Sequence, residues 1–198
     1  MTVGRQAAYG GVAVVLHWTI GAALLAQIAF GFALDALAPR GTPARAGTVN
    51  LHKSIGIVLG ILVLARLAWR LRQAPPRWAE ALPALQQRAA TLGHRALYAC
   101  MLLMPLSGYV ASNLSAHGVR FFGHAWAPWG PDWPAGYAFL NGVHVVTAFV
   151  FTTLVAGHVA FAAWHAAVRR DGVFERMWPV RRAATPSSPR LDPARRTP

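Results

Sequence analysis

Four histidines, His17, His52, His144 and His158, stand inside or at the rims of long apolar stretches. Neutral imidazole is the commonest side-chain metal ligand, and an ionisable group among apolar residues is costly enough to mark a functional position. For any one of them taken alone, a hydrogen bond to a neighbouring helix is an equally good reading. Their spacing says more. His144 and His158 are 14 residues apart, which on a helix places them within about 40° of one face and about 21 Å apart along the axis. A single helix face therefore presents two candidate ligands at two depths.

The elements that carry these histidines are dictated by composition. Of 198 residues, 55% are hydrophobic and 13% charged, with a formal charge of +13. Such a surplus of base over acid suggests nucleic acid as a partner only when it covers the face of a folded soluble module. Here the charges lie mostly between apolar blocks, so no nucleic-acid partner is expected. Segments 11–34, 52–71, 90–112 and 138–165 each reach the roughly 20 apolar residues that span a bilayer. Arg66 interrupts the second and is expected to snorkel. Pro105 sits inside the third, where it removes a backbone donor and is expected to kink the helix. The first segment is too long for a signal-peptide core, and Asp35 stands where small cleavage-site residues would be needed.

Lys and Arg in the connections set the orientation. Arg5, then Arg70, Arg72, Arg77 and Arg88, then eight arginines from Arg169 to Arg196 fall on one side, against Arg40, Arg45, Lys53 and Arg120 on the other. Both termini are thus expected on the cytoplasmic side of a bacterial inner membrane, in an all-α bundle of four transmembrane helices with lipid around it. With this topology His17 and His158 share a cytoplasmic level, and His52 and His144 share an outer one. The third connection is long, aromatic and nearly uncharged, as an outer-interface segment would be. Residues 181–198, rich in Arg, Pro and Ser, are expected to be a disordered basic tail behind a domain over 1–180.

Two histidine pairs, each bridging facing helices, are what two six-coordinate haems require for their axial ligands. Zinc fits less well, because a tetrahedral site wants three or four ligands at one level and no Asp, Glu or Cys accompanies either pair. The one cysteine, Cys100, excludes iron–sulfur clusters and zinc sites built from four cysteines of this chain. Gly21, Gly56, Gly60, Ala148 and Gly157 either leave room for a flat macrocycle or serve close helix packing. His165 lies seven residues beyond His158 and belongs to the membrane edge, so His158 is preferred as the inner ligand. His94, beside Arg95, is expected at the interface, within reach of a haem propionate. His117 and His124 are expected to be solvated.

The motifs LHW at His17, LHKSIGIVLGILVLARLAWR from His52, GHRALYACMLLMPLSGYVAS, GVRFFG, and HVVTAFVFTTLVAGHVAFAAWH closing on ERMWP together resemble the bacterial cytochrome b561 family, which is related to the b-type cytochrome subunits of nickel-iron hydrogenases. The resemblance implies a four-helix bundle with two b haems, held by His17 with His158 and by His52 with His144. It implies electron transfer across the inner membrane, to or from the quinone pool. One form of that activity is superoxide:ubiquinone oxidoreduction; the alternative is a haem-bearing anchor subunit for a periplasmic or membrane redox protein such as a hydrogenase. Family members often carry an acid directly after the histidine matching His144, where this chain has Val145. For a superoxide-using enzyme, Arg40, Arg45, Lys53 and Arg120 would steer the anion; their plain reading is loop solvation, with Lys53 or Arg120 pairing a haem propionate. The near-interface polar groups, Arg66, Arg70, His94 and Tyr98 toward the cytoplasmic side and Asn50, Ser112, Asn113 and Asn141 toward the outer side, do not single out a quinone site.

Overall fold

A computed structural model describes residues 9–73 and 82–178. Arg5, Arg77 and the tail over 181–198 lie outside the described residues. The chain forms four long helices: α1 (Gly11–Leu37), α2 (Ala44–Arg72), α3 (Ala84–Asn113) and α4 (Pro134–Trp164). Between α3 and α4 a short antiparallel hairpin pairs β1 (Val119–Phe121) with β2 (His124–Trp126).

Every helix outruns its apolar stretch, most of all α2, which starts eight residues before His52. Residues 44–51, broken by Arg45, Thr48 and Asn50, escape a reading based on hydropathy, because the helical backbone satisfies its own hydrogen bonds whether or not the side chains enter lipid. At this end Arg45 donates to the carbonyls of Leu34 and Ala38 at 3.1 and 2.9 Å and pairs with Asp35 at 2.6 Å. It thereby caps the carbonyl end of α1, where a cation is favoured.

Helices α1, α2 and the segment Pro134–Arg169 are long and apolar enough to cross a membrane, yet little of each apolar window is buried inside the protein. Leu25, Phe32, Ile61, Leu64, Val146 and Phe149 are exposed. Helices that are apolar and uncovered in this way take lipid as their solvent. The third expected span stands apart: α3 has 30 residues but is not among the helices with span-grade hydropathy. Arg88, His94 and Arg95 occupy its first half, and Pro105, Ser107, Ser112 and Asn113 its second. It earns its place by packing, running along α4 and against α2. It also remains one continuous helix through Pro105, and a Cβ on Gly60 of α2 would stand 3.1 Å from the Pro105 Cβ. Gly60 therefore serves close packing rather than a macrocycle.

The hairpin is absent from the sequence reading, which expected only an irregular interfacial connection. Its two-residue turn, Phe122–Gly123, has positive φ at both positions, 45° and 94°, as the tightest hairpin turns demand. Asn50, Lys53 and Ser54 clasp it to α2. Asn50 Oδ1 accepts from the Arg120 N–H at 3.1 Å, Lys53 Nζ donates to the Gly118 carbonyl at 3.0 Å, and the buried Ser54 Oγ accepts from the Phe122 N–H at 2.9 Å. At the opposite end α4 widens into a π turn over His165–Arg169 and stops at Arg170, whose φ is 48°. The chain then folds back, so that Trp18 Nε1 of α1 donates to the Met177 carbonyl at 2.7 Å.

Candidate functional site

The architecture brings the four histidines together as two pairs. His17 of α1 faces His158 of α4 with ring centres 6.1 Å apart and ring planes at 71°. His52 of α2 faces His144 of α4 at 6.4 Å and 83°. Metal–imidazole bonds of about 2 Å put the centres of two rings sharing one metal ion about 6 Å apart. Both pairs have that separation. The backbones of α1 and α2 barely approach that of α4, so each pair reaches across an interhelical gap instead of lying in a packed seam. Gly21, one turn beyond His17 on the same face, has open space where a Cβ would be, as does Gly157.

Surrounding groups orient the rings. The His144 Nδ1–H donates to the Met104 carbonyl at 2.9 Å, leaving Nε2 with a free lone pair. A ligating histidine is commonly held in this way, with one nitrogen bonded to a carbonyl and the other given to the metal. His52 Nδ1 lies 3.1 Å from the Gln27 side-chain amide, which also donates to the His52 carbonyl at 2.8 Å. The other end of that amide, Oε1, is buried without a partner among the described residues. Two glycines admit the rings: a Cβ on Gly31 would stand 3.1 Å from His52 Cε1, and one on Gly108 would stand 3.0 Å from His144 Nδ1. The sequence reading passed over Gly31, Gly108 and Gln27. Apart from Gln27's polarity inside an apolar run, it held no signal for them.

At the other pair Arg66 overturns the expectation that it snorkels. Its Nη2 donates to His17 Nδ1 at 3.1 Å and its Nε donates to the Tyr98 hydroxyl at 3.3 Å. The guanidinium turns toward His17 and Tyr98 because these polar partners stand on the neighbouring helices α1 and α3. His94, expected at the interface within reach of a haem propionate, is exposed. Its ring centre is 5.4 Å from that of His158, and its Nδ1–H donates to the Ala90 carbonyl at 2.6 Å. This places it beside the inner pair. His165 is fully buried, with its Nδ1 2.7 Å from Asp171 Oδ2 and its ring against Phe161 and Trp164. It begins the π turn that ends α4, and its burial there had no signal in the sequence. His117 and His124 are exposed, in the α3–β1 connection and in β2.

A family model described as prokaryotic cytochrome b561 matches residues 8–180. The chain belongs to the prokaryotic cytochrome b561 family. It is 27% identical over 172 residues to cytochrome b561 homolog 1 of Escherichia coli (strain K12), covering 85% of this chain and 96% of that protein. It is 28% identical over 177 residues to cytochrome b561 homolog 2 of the same organism, covering 85% and 90%. Membership makes the protein a membrane b-type cytochrome that transfers electrons, with a b-type haem as cofactor and lipid against its spanning helices. The structure fits that cofactor: imidazoles face one another across gaps at the separation an iron requires, and the bond from His144 Nδ1–H to the Met104 carbonyl leaves Nε2 as the nitrogen free to ligate.

Proposed function

We propose that this cytochrome b561 holds two b haems, one between His17 and His158 and one between His52 and His144, and carries electrons across the bacterial inner membrane between an outer donor and the quinone pool. The observation that carries the reading is the pair of facing imidazole couples, 6.1 and 6.4 Å between ring centres. A haem with two imidazole ligands accepts and returns one electron and leaves no open iron position for oxygen chemistry. The protein's own part is to fix the ligand rings, keep the interhelical gaps dry with apolar side chains, and set potential through the groups beside each imidazole. The separation of His144 and His158 along α4 supports two relay stations about 21 Å apart in depth.

Reaction with superoxide is the enzymatic form of this reading, and the charges at the hairpin end bear on it. Arg45 caps α1, Lys53 holds the hairpin and Arg40 lies 3.9 Å from Asp35, and the exposed Arg40 and Arg120 side chains are the ones that can act on an approaching anion. Purified protein mixed with superoxide in a stopped-flow spectrometer is expected to show fast haem reduction that slows as salt rises. Reoxidation by a soluble ubiquinone should follow. Absence of any superoxide reaction would instead favour an anchor subunit that takes electrons from a partner protein, and failure of quinone to reoxidise the haems would remove the quinone pool from the scheme.

The orientation follows from the same arginine asymmetry and includes α3 as a fourth span. It predicts that Ala116→Cys, exposed just past α3, reacts with an impermeant maleimide added to intact cells, whereas Gln73→Cys, exposed past α2, does not. Both are made in a Cys100→Ala background. Equal labelling of the two would place both ends of α3 on one side and defeat the four-span arrangement.

A further inference from the structure

Among the described residues, Arg66 is a cation without an anion. It lies within the apolar body of α2, and its polar contacts are His17 and Tyr98, neither of them acidic. The chain has six acidic residues, Asp35, Glu80, Asp132, Asp171, Glu175 and Asp192. None of them falls inside the apolar body of a helix, and among the described residues Arg66 forms no ion pair. A charged side chain at such a depth is retained where it meets an opposite charge or serves a transported or bound group.

Its contact with His17 makes the case sharper. A guanidinium has only donors, so His17 Nδ1 must accept from Arg66 and the ring proton must sit on Nε2. An imidazole in that state has no lone pair on Nε2 to give a metal. Gln27, in the matching place beside His52, has both an oxygen and a nitrogen to present, so it can accept from an Nδ1–H by turning its amide and giving up its bond to the His52 carbonyl. Arg66 cannot. For His17 to ligate through Nε2, Nδ1 must take the proton and Arg66 must leave it for an acceptor nearby.

We propose that this acceptor is a carboxylate at the edge of the haem held between His17 and His158, and that Arg66 is a positioning residue: it gives up His17 Nδ1 on forming an ion pair with the haem carboxylate, thereby freeing Nε2 and raising the reduction potential of that haem. The inference rests on the proposed ligation by His17 and His158. The sign is electrostatic. Reduction adds an electron, so a cation that neutralises an adjacent carboxylate favours the ferrous form. Arginine suits the role because its planar fork matches a carboxylate with two parallel hydrogen bonds.

The test is a redox titration of the purified cytochrome in which the two haems are followed separately, the inner one being identified as that missing from His17→Ala. Arg66→Met is expected to shift the inner haem toward the ferric form by about tenfold, or about 59 mV for a one-electron couple, and to leave the outer haem unmoved. Arg66→Lys should restore most of the difference, because it returns the charge without the fork. Loss of the inner haem alone from Arg66→Met, with its return in Arg66→Lys, also supports the ion pair, since the remaining outer haem reports an intact bundle. If Arg66→Met loses both haems, the comparison of Arg66→Lys with Arg66→Gln is read in the same way. Unchanged potentials in Arg66→Met, as expected if Arg66 served a lipid phosphate, overturn the inference, as does a drop that Arg66→Lys reproduces in full. Retention of both haems by His17→Ala would instead refute the ligation on which the inference rests.

Discussion

His17→Ala and His52→Ala should each lower the haem content of the purified cytochrome from about two per chain to about one, and the haem that remains should differ between the two variants. Each substitution leaves one imidazole facing an empty position across a gap of 6.1 or 6.4 Å between ring centres. A single remaining ligand cannot hold iron as two do, and no neighbouring side chain can replace the ring at His52, whose other close partners are Gln27 and Phe30. The inner pair contains its own control. His94 lies even nearer His158, at 5.4 Å, but on α3, so His94→Ala should retain both haems if His17 is the ligand. Pyridine haemochrome quantification with low-temperature spectra reads all three variants. Loss of a haem in His94→Ala, with none in His17→Ala, would reassign the inner ligand.

The second large effect is expected at Gly108. The His144 ring lies against the α3 backbone here, and a Cβ would stand 3.0 Å from Nδ1 and 3.1 Å from Cε1. Such contacts are too short to be absorbed without movement, and the ring has little freedom to move because Nδ1–H is tied to the Met104 carbonyl one turn away. Gly108→Val adds two further methyl groups to that space. The variant should keep the inner haem and lose the same haem as His52→Ala, even though no ligand has been replaced. Gly47→Ala is the matched control. Gly47 is exposed in the first turns of α2 with nothing within 4 Å of a built Cβ, so the change should leave haem content alone while favouring the helix by up to about 1 kcal/mol. Wild-type spectra and potentials in Gly108→Val would show that the ring approaches iron from elsewhere.

These expectations divide between what the chain announces and what it conceals. Depth was legible from the sequence, because a helix advances 1.5 Å per residue and a bilayer fixes where each apolar stretch must lie. That arithmetic set His144 and His158 on one face of α4 at two levels and matched them with His52 and His17; the structure brings the same residues face to face. Three of the four expected spans were equally plain, and α3 falls short of span-grade hydropathy because Arg, Pro, Ser and Asn dilute its composition.

Rotation and neighbours were not legible. In a soluble helix the polar face shows which side turns outward, but α1 and α4 are apolar nearly all round, so their sequence carries no such mark. Which glycine admits a ring therefore depended on how the helices pack. Gly60 proved to meet Pro105, while Gly31 and Gly108, unremarkable in sequence, admit His52 and His144. The turn of Arg66 toward His17 and the turn of His165 toward Asp171 have the same origin: a long or ionisable side chain goes where its polar partners are, and those partners come from other helices or from residues beyond a helix end. The sequence determined which residues stand at each depth, since backbone geometry and bilayer thickness are the same for every chain. Only the tertiary structure decided which of them touch, since contact depends on the rotation and separation of neighbouring helices.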